Sequence, residues 1–325
     1  MFEESENKVL VRRVWDFPLL VRYAEKQGHK LSYFGLPGPY IADIIEWQSC
    51  LGDCTGVERL RKEKEQREED LDVHRLIHKN VWLSGLDTFQ LLRGDIEDVI
   101  LRGVDQDMVR PKLSTNHAPF QCCFHYDVVN LDFCGGMGYK DKDRKSRRVQ
   151  ALKKLLERQR GTDFLFLLTL NVRDGIDDEL ILYLEGAKRA AVDQKQRDIL
   201  DWYATSRKGM KEYRLKALVP LFIRKEGETW GLDCFCYPPL AYTGSGSARM
   251  VHFVFEMTNM NTILHAHSRQ RFSKLIGLPL LGIKDKTLQV LPRQHPNFDF
   301  HDGTYLASLP DQIQQVLCGD TPKMT

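Results

Sequence analysis

The feature that most constrains the fold is a nearly unbroken apolar stretch, DFLFLLTLNVRDG, at residues 163–175. Polar residues and a glycine end it after Val172. A strand that is covered on both faces gives such a continuous apolar run, and helices cover both faces of parallel sheets. The stretch therefore predicts a central strand of a parallel α/β sheet.

Strand-like and helix-like segments alternate on both sides of this stretch, as expected for an α/β sheet. The sequence predicts strands over residues 31–35, 55–59, 80–92 and 125–136, and helices over residues 39–51, 59–79, 144–160 and 176–212. Parallel strands need helical crossovers of this length. Two final strands, residues 213–227 and 250–259, are expected to pair antiparallel. The predicted fold class is α/β, with a mostly parallel sheet and a C-terminal antiparallel strand pair.

The chain is expected to have three parts: an N-terminal helical segment (residues 1–27), the α/β domain (28–260) and a C-terminal extension (261–325). Its 325 residues are enough for one elaborated domain. The net charge of +2 means that any nucleic-acid site needs a local basic patch.

The sequence also predicts a cytoplasmic protein with no membrane contact. No apolar run approaches the roughly 18 residues that span a bilayer, and the acidic N-terminus is unlike a secretory signal. The eight cysteines form no CxxC pair, so we expect free thiols in a reducing compartment. His265 and His267 alternate on a predicted strand, but we expect no metal site there because no familiar ligand spacing is present.

Ligands of parallel α/β sheets bind beyond the carboxyl ends of the strands, which makes the strand ends the candidate site. HKLSYFGLPG (29–38) ends the first strand with Gly35, Pro37 and Gly38. Glycines there allow close approach to a ligand, although a plain bend in a loop is the alternative. Glu58 ends the second strand, at a distance from Gly38 that suits a ribose-binding carboxylate. The alternative is a surface glutamate that begins a charged helix.

The third and fourth predicted strands carry polar residues as well. The third strand region places Asp87 in SGLDTF, where a carboxylate can meet an adenine amino group or simply form a turn beside Gly85. NLDFCGG (130–136) ends the fourth strand with Asn130 and Asp132. Chemistry is expected at such a strand end, because a buried Asp without a partner costs several kcal/mol. The alternative is a solvated turn.

Taken in order, these features resemble the class I S-adenosylmethionine-dependent methyltransferase fold over roughly residues 28–260. FGLPG resembles the F-x-GPG turn of the three-Cys-motif partner proteins. NLDFCGG resembles the DLDPFG segment of those proteins and of tRNA guanine-N2 dimethyltransferases. The resemblance implies a Rossmann-like methyltransferase sheet with S-adenosylmethionine as cofactor.

The resemblance also implies roles for individual residues. The turn at Gly35, Pro37 and Gly38 would line the methionine side of the cofactor, Glu58 would hold the ribose and Asp87 the adenine. Asn130 and Asp132 would face the methyl-accepting group, and Phe133 would stack on a base. The implied activity is methylation of a nucleic acid at an exocyclic amine.

Three departures from the family pattern keep alternatives open. Ser32 or Tyr33 stands where an acid is usual, Asn130 replaces the first acid, and Phe133 replaces a proline. A catalytically degenerate binding module that acts with protein partners is one alternative. Another is a different nucleotide-binding enzyme whose glycines hold a phosphate, although no Gly-Lys-Ser/Thr step of a P-loop is present.

A basic helix after the fourth strand, residues 144–160, predicts a phosphate-contacting surface. Arg144, Lys145, Arg147 and Arg148 are the candidate nucleic-acid contacts. The alternative is a solvated outer face of a helix whose apolar residues pack on the sheet. A second basic segment, HSRQRFSK (267–274), adds a little support for nucleic-acid binding.

Overall fold

The structure is a computed structural model. It describes residues 5–58, 68–86, 88–103, 124–133, 135–137, 146–172, 178–191, 194–205, 211–260, 275, 277–292 and 305–318.

Five parallel strands form one half of the sheet, in the order β3-β2-β1-β4-β5. Their bounds are β1 Leu31–Gly35, β2 Leu51–Glu58, β3 Phe89–Arg93, β4 Val128–Asp132 and β5 Phe164–Asn171. All eight residues of β5 are buried, so the prediction of a central covered strand is confirmed. The elements between these strands include α3 Ala42–Trp47, α4 Glu68–Ser84, α5 Ile96–Arg102 and α6 Arg147–Arg158.

The other half of the sheet continues from β5 through an antiparallel strand, β8 (Arg249–Asn259). Both β6 (Leu232–Cys236) and β7 (Leu240–Thr243) pair antiparallel with β8, each with a different part of it. Two strands of the predicted C-terminal extension, β9 (Leu281–Lys284) and β10 (Thr287–Val290), complete the ten-stranded sheet. The predicted fold class is confirmed as an α/β, Rossmann-like sheet that is mostly parallel, with antiparallel strands toward the C-terminus.

Two predicted strands are wrong in whole or in part. The predicted strand 80–92 begins within α4, and β3 starts only at Phe89. Residues 213–227 lie within a helix, α9 (Lys211–Thr229). Residues 212–223 are buried on nearly every side, so the segment has the continuous apolar character of a buried strand. Periodicity alone cannot separate the two cases, and Pro220, which lies inside the helix, is unfavourable to helix and central strand alike. The predicted helix over 176–212 consists of two described helices, α7 (Asp178–Ala190) and α8 (Gln194–Thr205).

The N-terminal helix covers one face of the sheet. It consists of α1 (Glu6–Leu10), a π-helical segment (Val11–Asp16) and α2 (Phe17–Gln27), which ends at Gly28 in the left-handed conformation. Trp15 and Leu20 on this helix are fully buried and belong to one core with α3, α4 and the C-terminal helix α10 (Asp311–Cys318). The helix therefore lies over the same sheet face as the side chains of Tyr33 and Val128.

The opposite face is covered by α5, α6, α7, α8 and α9. Side chains alternate between the two faces along β4, so Val129 and Leu131 point toward these helices, and Asn130 and Asp132 toward the N-terminal helix. This alternation decides which polar groups meet at the site.

None of the described helices has the length and apolarity that a membrane crossing requires. The cysteines among the described residues are free thiols, four of them buried.

Candidate functional site at the carboxyl edge

The sheet register brings four predicted site residues to one edge. Gly35, the last residue of β1, pairs with Gly56 on β2 and with Asn130 on β4. Glu58 ends β2 two residues beyond Gly56, and Asp132 ends β4 two residues beyond Asn130. The carboxyl ends of three adjacent parallel strands thus meet as the sequence predicted.

The glycine turn after β1 packs tightly against its own chain. A Cβ atom added at Gly35 would lie 2.4 Å from the carbonyl oxygen of Asn130 and 2.6 Å from the hydroxyl of Tyr33. The amide of Leu36 donates a hydrogen bond to the same Asn130 carbonyl, at 3.2 Å. Gly38, at φ +61°, has nothing within 4 Å of its added Cβ. Open space is therefore found beside Gly38 rather than beside Gly35.

This difference predicts unequal effects of alanine at the two glycines. Gly35→Ala should lower the free energy of unfolding by about 1–3 kcal/mol or more, because the new methyl group meets backbone and a buried ring. Gly38→Ala should cost about 1–2 kcal/mol, since only the left-handed conformation opposes it. Urea unfolding of both variants measures the difference. A Gly35→Ala protein as stable as the parent would contradict the packing described here.

Asn130 belongs to a buried chain of polar contacts. Its Nδ2 donates to Asp43 Oδ2 at 2.8 Å and to the Tyr33 hydroxyl at 3.3 Å. The other carboxylate oxygen of Asp43 accepts a hydrogen bond from Arg12 Nε at 2.5 Å. Burial, with the Asp43 charge beside it, raises the pKa of Tyr33 well above its ordinary value. The predicted active-site amide is therefore held in place by α3, β1 and the N-terminal helix.

Asp132 forms an ion pair with Lys8 of the N-terminal helix. The Asp132 side chain is 16% exposed and that of Lys8 is 37% exposed. Burial acts to lower the pKa of Lys8, but the charges of Asp132 and Asp43 outweigh it, so this pKa lies well above its ordinary value. Lys8 is therefore positively charged and lies beside the carboxyl end of β4.

A second polar chain continues the same row of the sheet. Thr169 on β5 pairs in register with Asp132 on one side and with His252 on the other. The two ring nitrogens of His252 lie 2.8 Å from Thr169 Oγ1 and 2.8 Å from Asp16 Oδ1. Burial raises the pKa of Asp16, while His252 opposes that rise. Polar side chains therefore occupy neighbouring register positions on β4, β5 and β8.

Sequence reasoning missed most of this cluster. Lys8, Arg12 and Asp16 are spaced four residues apart within the predicted N-terminal helix, and that spacing is the signal that could have found them. His252, in an apolar strand, was a further signal. Without the fold, nothing indicated that these residues face the ends of β4, β5 and β8.

The predicted nucleoside-binding acids are described only in part. Glu58 ends β2 as predicted, and its backbone carbonyl accepts a hydrogen bond from Gly94 at 2.9 Å. Asp87 itself lies outside the described residues, but β3 begins at Phe89, so the expectation that the third strand ends at Asp87 is wrong. The role assigned to Glu58 stays a prediction.

Phe133 and Arg148 point away from the site, which corrects two expectations. Phe133 is 3% exposed, and the Arg148 guanidinium lies over its ring, 4.1 Å from the centroid. Arg148 also donates to Glu97 Oε1 at 3.1 Å and to the Gly136 carbonyl at 2.5 Å. Burial, reinforced by Asp95, raises the pKa of Glu97 to about 7 against the pull of Arg148. Neither the ring nor the guanidinium is available to a base or a phosphate.

Of the remaining predicted phosphate contacts, one is described by the structure and two are not. Arg147 is partly exposed and forms an ion pair with Asp98 of α5. Arg144 and Lys145 lie outside the described residues, as do His265 and His267. Within the part of the chain that the structure describes, no three His, Cys, Asp or Glu side chains are grouped to hold a metal ion.

Two cavities lie away from this edge. One, of about 630 Å³, is a groove between α7 and α9 whose walls include Leu182, Gly186 and Leu221. The other, of about 300 Å³, lies between the N-terminal helix, the β9–β10 hairpin and α10.

Comparison with known proteins gives limited matches. A family model described as PP_RS20740-like matches residues 113–211, under a third of the chain. It lends no support to the three-Cys-motif partner resemblance, which stays a prediction. No curated protein matches the sequence.

Solved structures that resemble the chain include several methyltransferases. An rRNA methylase from Streptococcus thermophilus has 12% identity and a TM-score of 0.35, covering 73% of this chain and 93% of its own. An O-methyltransferase from Bacillus cereus, in complex with SAH, has 13% identity and a TM-score of 0.34, covering 74% and 80%. TomG, an O-methyltransferase from Streptomyces achromogenes in complex with SAM, has 9% identity and a TM-score of 0.34, covering 78% and 92%. TM-scores this low do not support an assignment, so the fold class is assigned from the strand order and register described above.

Proposed function

We propose that the protein is an S-adenosylmethionine-dependent methyltransferase that acts on an exocyclic amine of a nucleic acid. The observation that carries the proposal is the register that joins the turn at Gly35, the carboxylate of Glu58 and the polar pair Asn130 and Asp132 at one edge. Ligands of sheets with this architecture bind at that edge.

The residues at the edge fit the cofactor in two respects and fail to fit it in one. Glu58 ends β2, where a carboxylate can accept hydrogen bonds from ribose hydroxyls, and space is open beside Gly38. Gly35 does not fit its implied role, because its Cα is covered by Tyr33 and Asn130. We therefore assign the methionine part to Pro37 and Gly38 and the ribose to Glu58, and we assign no adenine contact to Asp87, because Asp87 precedes β3. Bound there, S-adenosylmethionine would supply the methyl group.

The chain's own residues orient the acceptor. An exocyclic amine that is well placed seldom needs a strong base, so positioning in a dry site supplies most of the effect. The Asp132 carboxylate would accept hydrogen bonds from the amine and take up the proton that the product releases. The Lys8 ammonium beside it keeps the carboxylate ionised before transfer and opposes its protonation. Asn130, which is held in place by its hydrogen bond to Asp43, would form one wall of the acceptor pocket.

A catalytically degenerate binding module is the second candidate, and one observation favours it. The polar groups at this edge already satisfy one another, since Lys8 pairs with Asp132 and Arg12 with Asp43. Tyr33 fills the position beside the turn where an acid is usual in the resembled family. A module of this kind would contact protein partners without transferring a methyl group.

Transfer of a radiolabelled methyl group tests the proposal. The purified protein is incubated with labelled S-adenosylmethionine and either total RNA or heat-denatured DNA. Label that enters one of these polymers and is released on nuclease digestion as a methylated base supports the proposal. Cofactor binding without transfer to either polymer would favour the degenerate module.

A further inference from the structure

The outer face of α4 combines cations with large exposed apolar side chains. Trp82 is 80% exposed and Leu83 is 62% exposed. Arg75, His78 and Lys79 are exposed on the same helix. Their spacing of three and four residues places all five on one face, and Ile77, which is fully buried, lies on the face that packs against the core.

Two residues near the glycine turn extend this face. Tyr40 is 44% exposed and Ile45 is 45% exposed. Hydrogen bonds fasten the two segments together, from Asn80 Nδ2 to the Pro39 carbonyl at 3.1 Å and from Gln48 Nε2 to the Ser84 carbonyl at 2.9 Å. We refer to the joint patch as the α4 surface; it consists of Tyr40, Ile45, Arg75, His78, Lys79, Trp82 and Leu83. Pro39 follows Gly38 directly, so the α4 surface adjoins the proposed cofactor turn.

The charged residues of the α4 surface are the cations Arg75 and Lys79. The sequence from Val73 to Leu86 contains no Asp or Glu, whereas the first turns of α4 carry Glu68, Glu69, Asp70 and Asp72. On the adjacent α3, Asp43 pairs with the buried Arg12, and Glu46 pairs with Arg13 at 2.9 Å. An anionic partner therefore meets cations here, while the acids on α3 are engaged with the N-terminal helix.

We propose that the α4 surface binds an unpaired nucleic-acid strand and leads it toward the carboxyl edge. A largely exposed indole offers a face on which a base can stack, and Tyr40 offers a second ring. Lys79 supplies a phosphate contact on the same face. Stacking needs unpaired bases, so single strands are preferred over duplexes. This inference rests on the proposed function, because it names where the acceptor polymer lies.

Fluorescence anisotropy with a labelled mixed-sequence 20-nucleotide single strand tests the inference. Trp82→Ala should weaken binding roughly 5- to 100-fold, the range expected for loss of one stacked base. Trp82→Tyr should keep most of the affinity, because the ring face remains. Lys79→Gln should weaken binding and reduce the slope of log affinity against log salt by about one unit. Leu182→Ala, which removes a 67% exposed apolar side chain on α7, should change nothing.

Two results would overturn the inference. The first is unchanged affinity for the single strand in both Trp82→Ala and Lys79→Gln. The second is a Trp82→Ala protein that loses only self-association in sedimentation, which would make the α4 surface a contact between copies of this chain. Labelled methyl transfer, measured on the same variants, separates the two proposals. If the protein transfers methyl groups but both variants bind the single strand as the parent does, only the proposal for the α4 surface is wrong. If the variants bind more weakly but the parent transfers no methyl group, the α4 surface is supported and only the proposed activity is wrong.

Discussion

Arg12→Ala is expected to lower the free energy of unfolding by about 3–5 kcal/mol, a large share of the stability of a typical domain. The Arg12 side chain is 5% exposed and that of Asp43 is 11% exposed, with 2.5 Å between Nε and Oδ1. Removing the guanidinium leaves a buried carboxylate whose main counter-charge is gone. Urea unfolding, followed by circular dichroism, measures the loss.

The neighbouring arginine provides a matched control. Arg13 is 57% exposed, and its pair with Glu46 lies at the surface, so Arg13→Ala should cost about 0–1 kcal/mol. Adding Asp43→Asn to Arg12→Ala should recover part of the loss, because the unpaired charge disappears with it. Equal losses in Arg12→Ala and Arg13→Ala would contradict the buried network as described.

Asp132→Asn is expected to lower the rate of methyl transfer by about 100-fold or more while the affinity for S-adenosylmethionine is unchanged. Proton transfer by a positioned side chain contributes about that factor, and the amide keeps the size of the carboxylate while removing its charge. The measurement is single-turnover transfer to whichever nucleic acid accepts the label, with binding determined in parallel.

An exposed acid far from this edge controls for a general effect of removing charge. Asp53, near the opposite end of β2, accepts a hydrogen bond from Thr88 at 2.6 Å. Asp53→Asn should transfer methyl groups at the parent rate. Full activity of Asp132→Asn would show that Asp132 takes no part in methyl transfer, whatever the affinity for S-adenosylmethionine.

Four of the five parallel strands were predictable because their signals are local, whereas the predicted strand 80–92 overlaps α4. The apolar run of β5 and the strand ends at Gly35, Glu58 and Asp132 follow from neighbouring residues alone. The helix α9 was not predictable in this way, because burial on nearly every side removes the periodicity that marks a helix.

Half of the candidate site depends on contacts between distant parts of the chain. Lys8 meets Asp132, and Asp16 meets His252, across separations that no local pattern reports. The direction of Arg148 was equally hidden, because a basic run gives no sign of which member turns inward. Only the contacts made in the folded protein show both arrangements.

Calorimetric titration with S-adenosylmethionine tests the central claim most directly, using the parent protein, Glu58→Ala and Asp53→Ala. The carboxylate of Glu58 is expected to bond the ribose hydroxyls, and each hydrogen bond to a charged group is worth about 1.5–3 kcal/mol. We therefore predict micromolar binding by the parent and by Asp53→Ala, and binding at least about tenfold weaker by Glu58→Ala. No binding by the parent up to millimolar cofactor, or equal binding by all three proteins, would contradict a cofactor site at this edge.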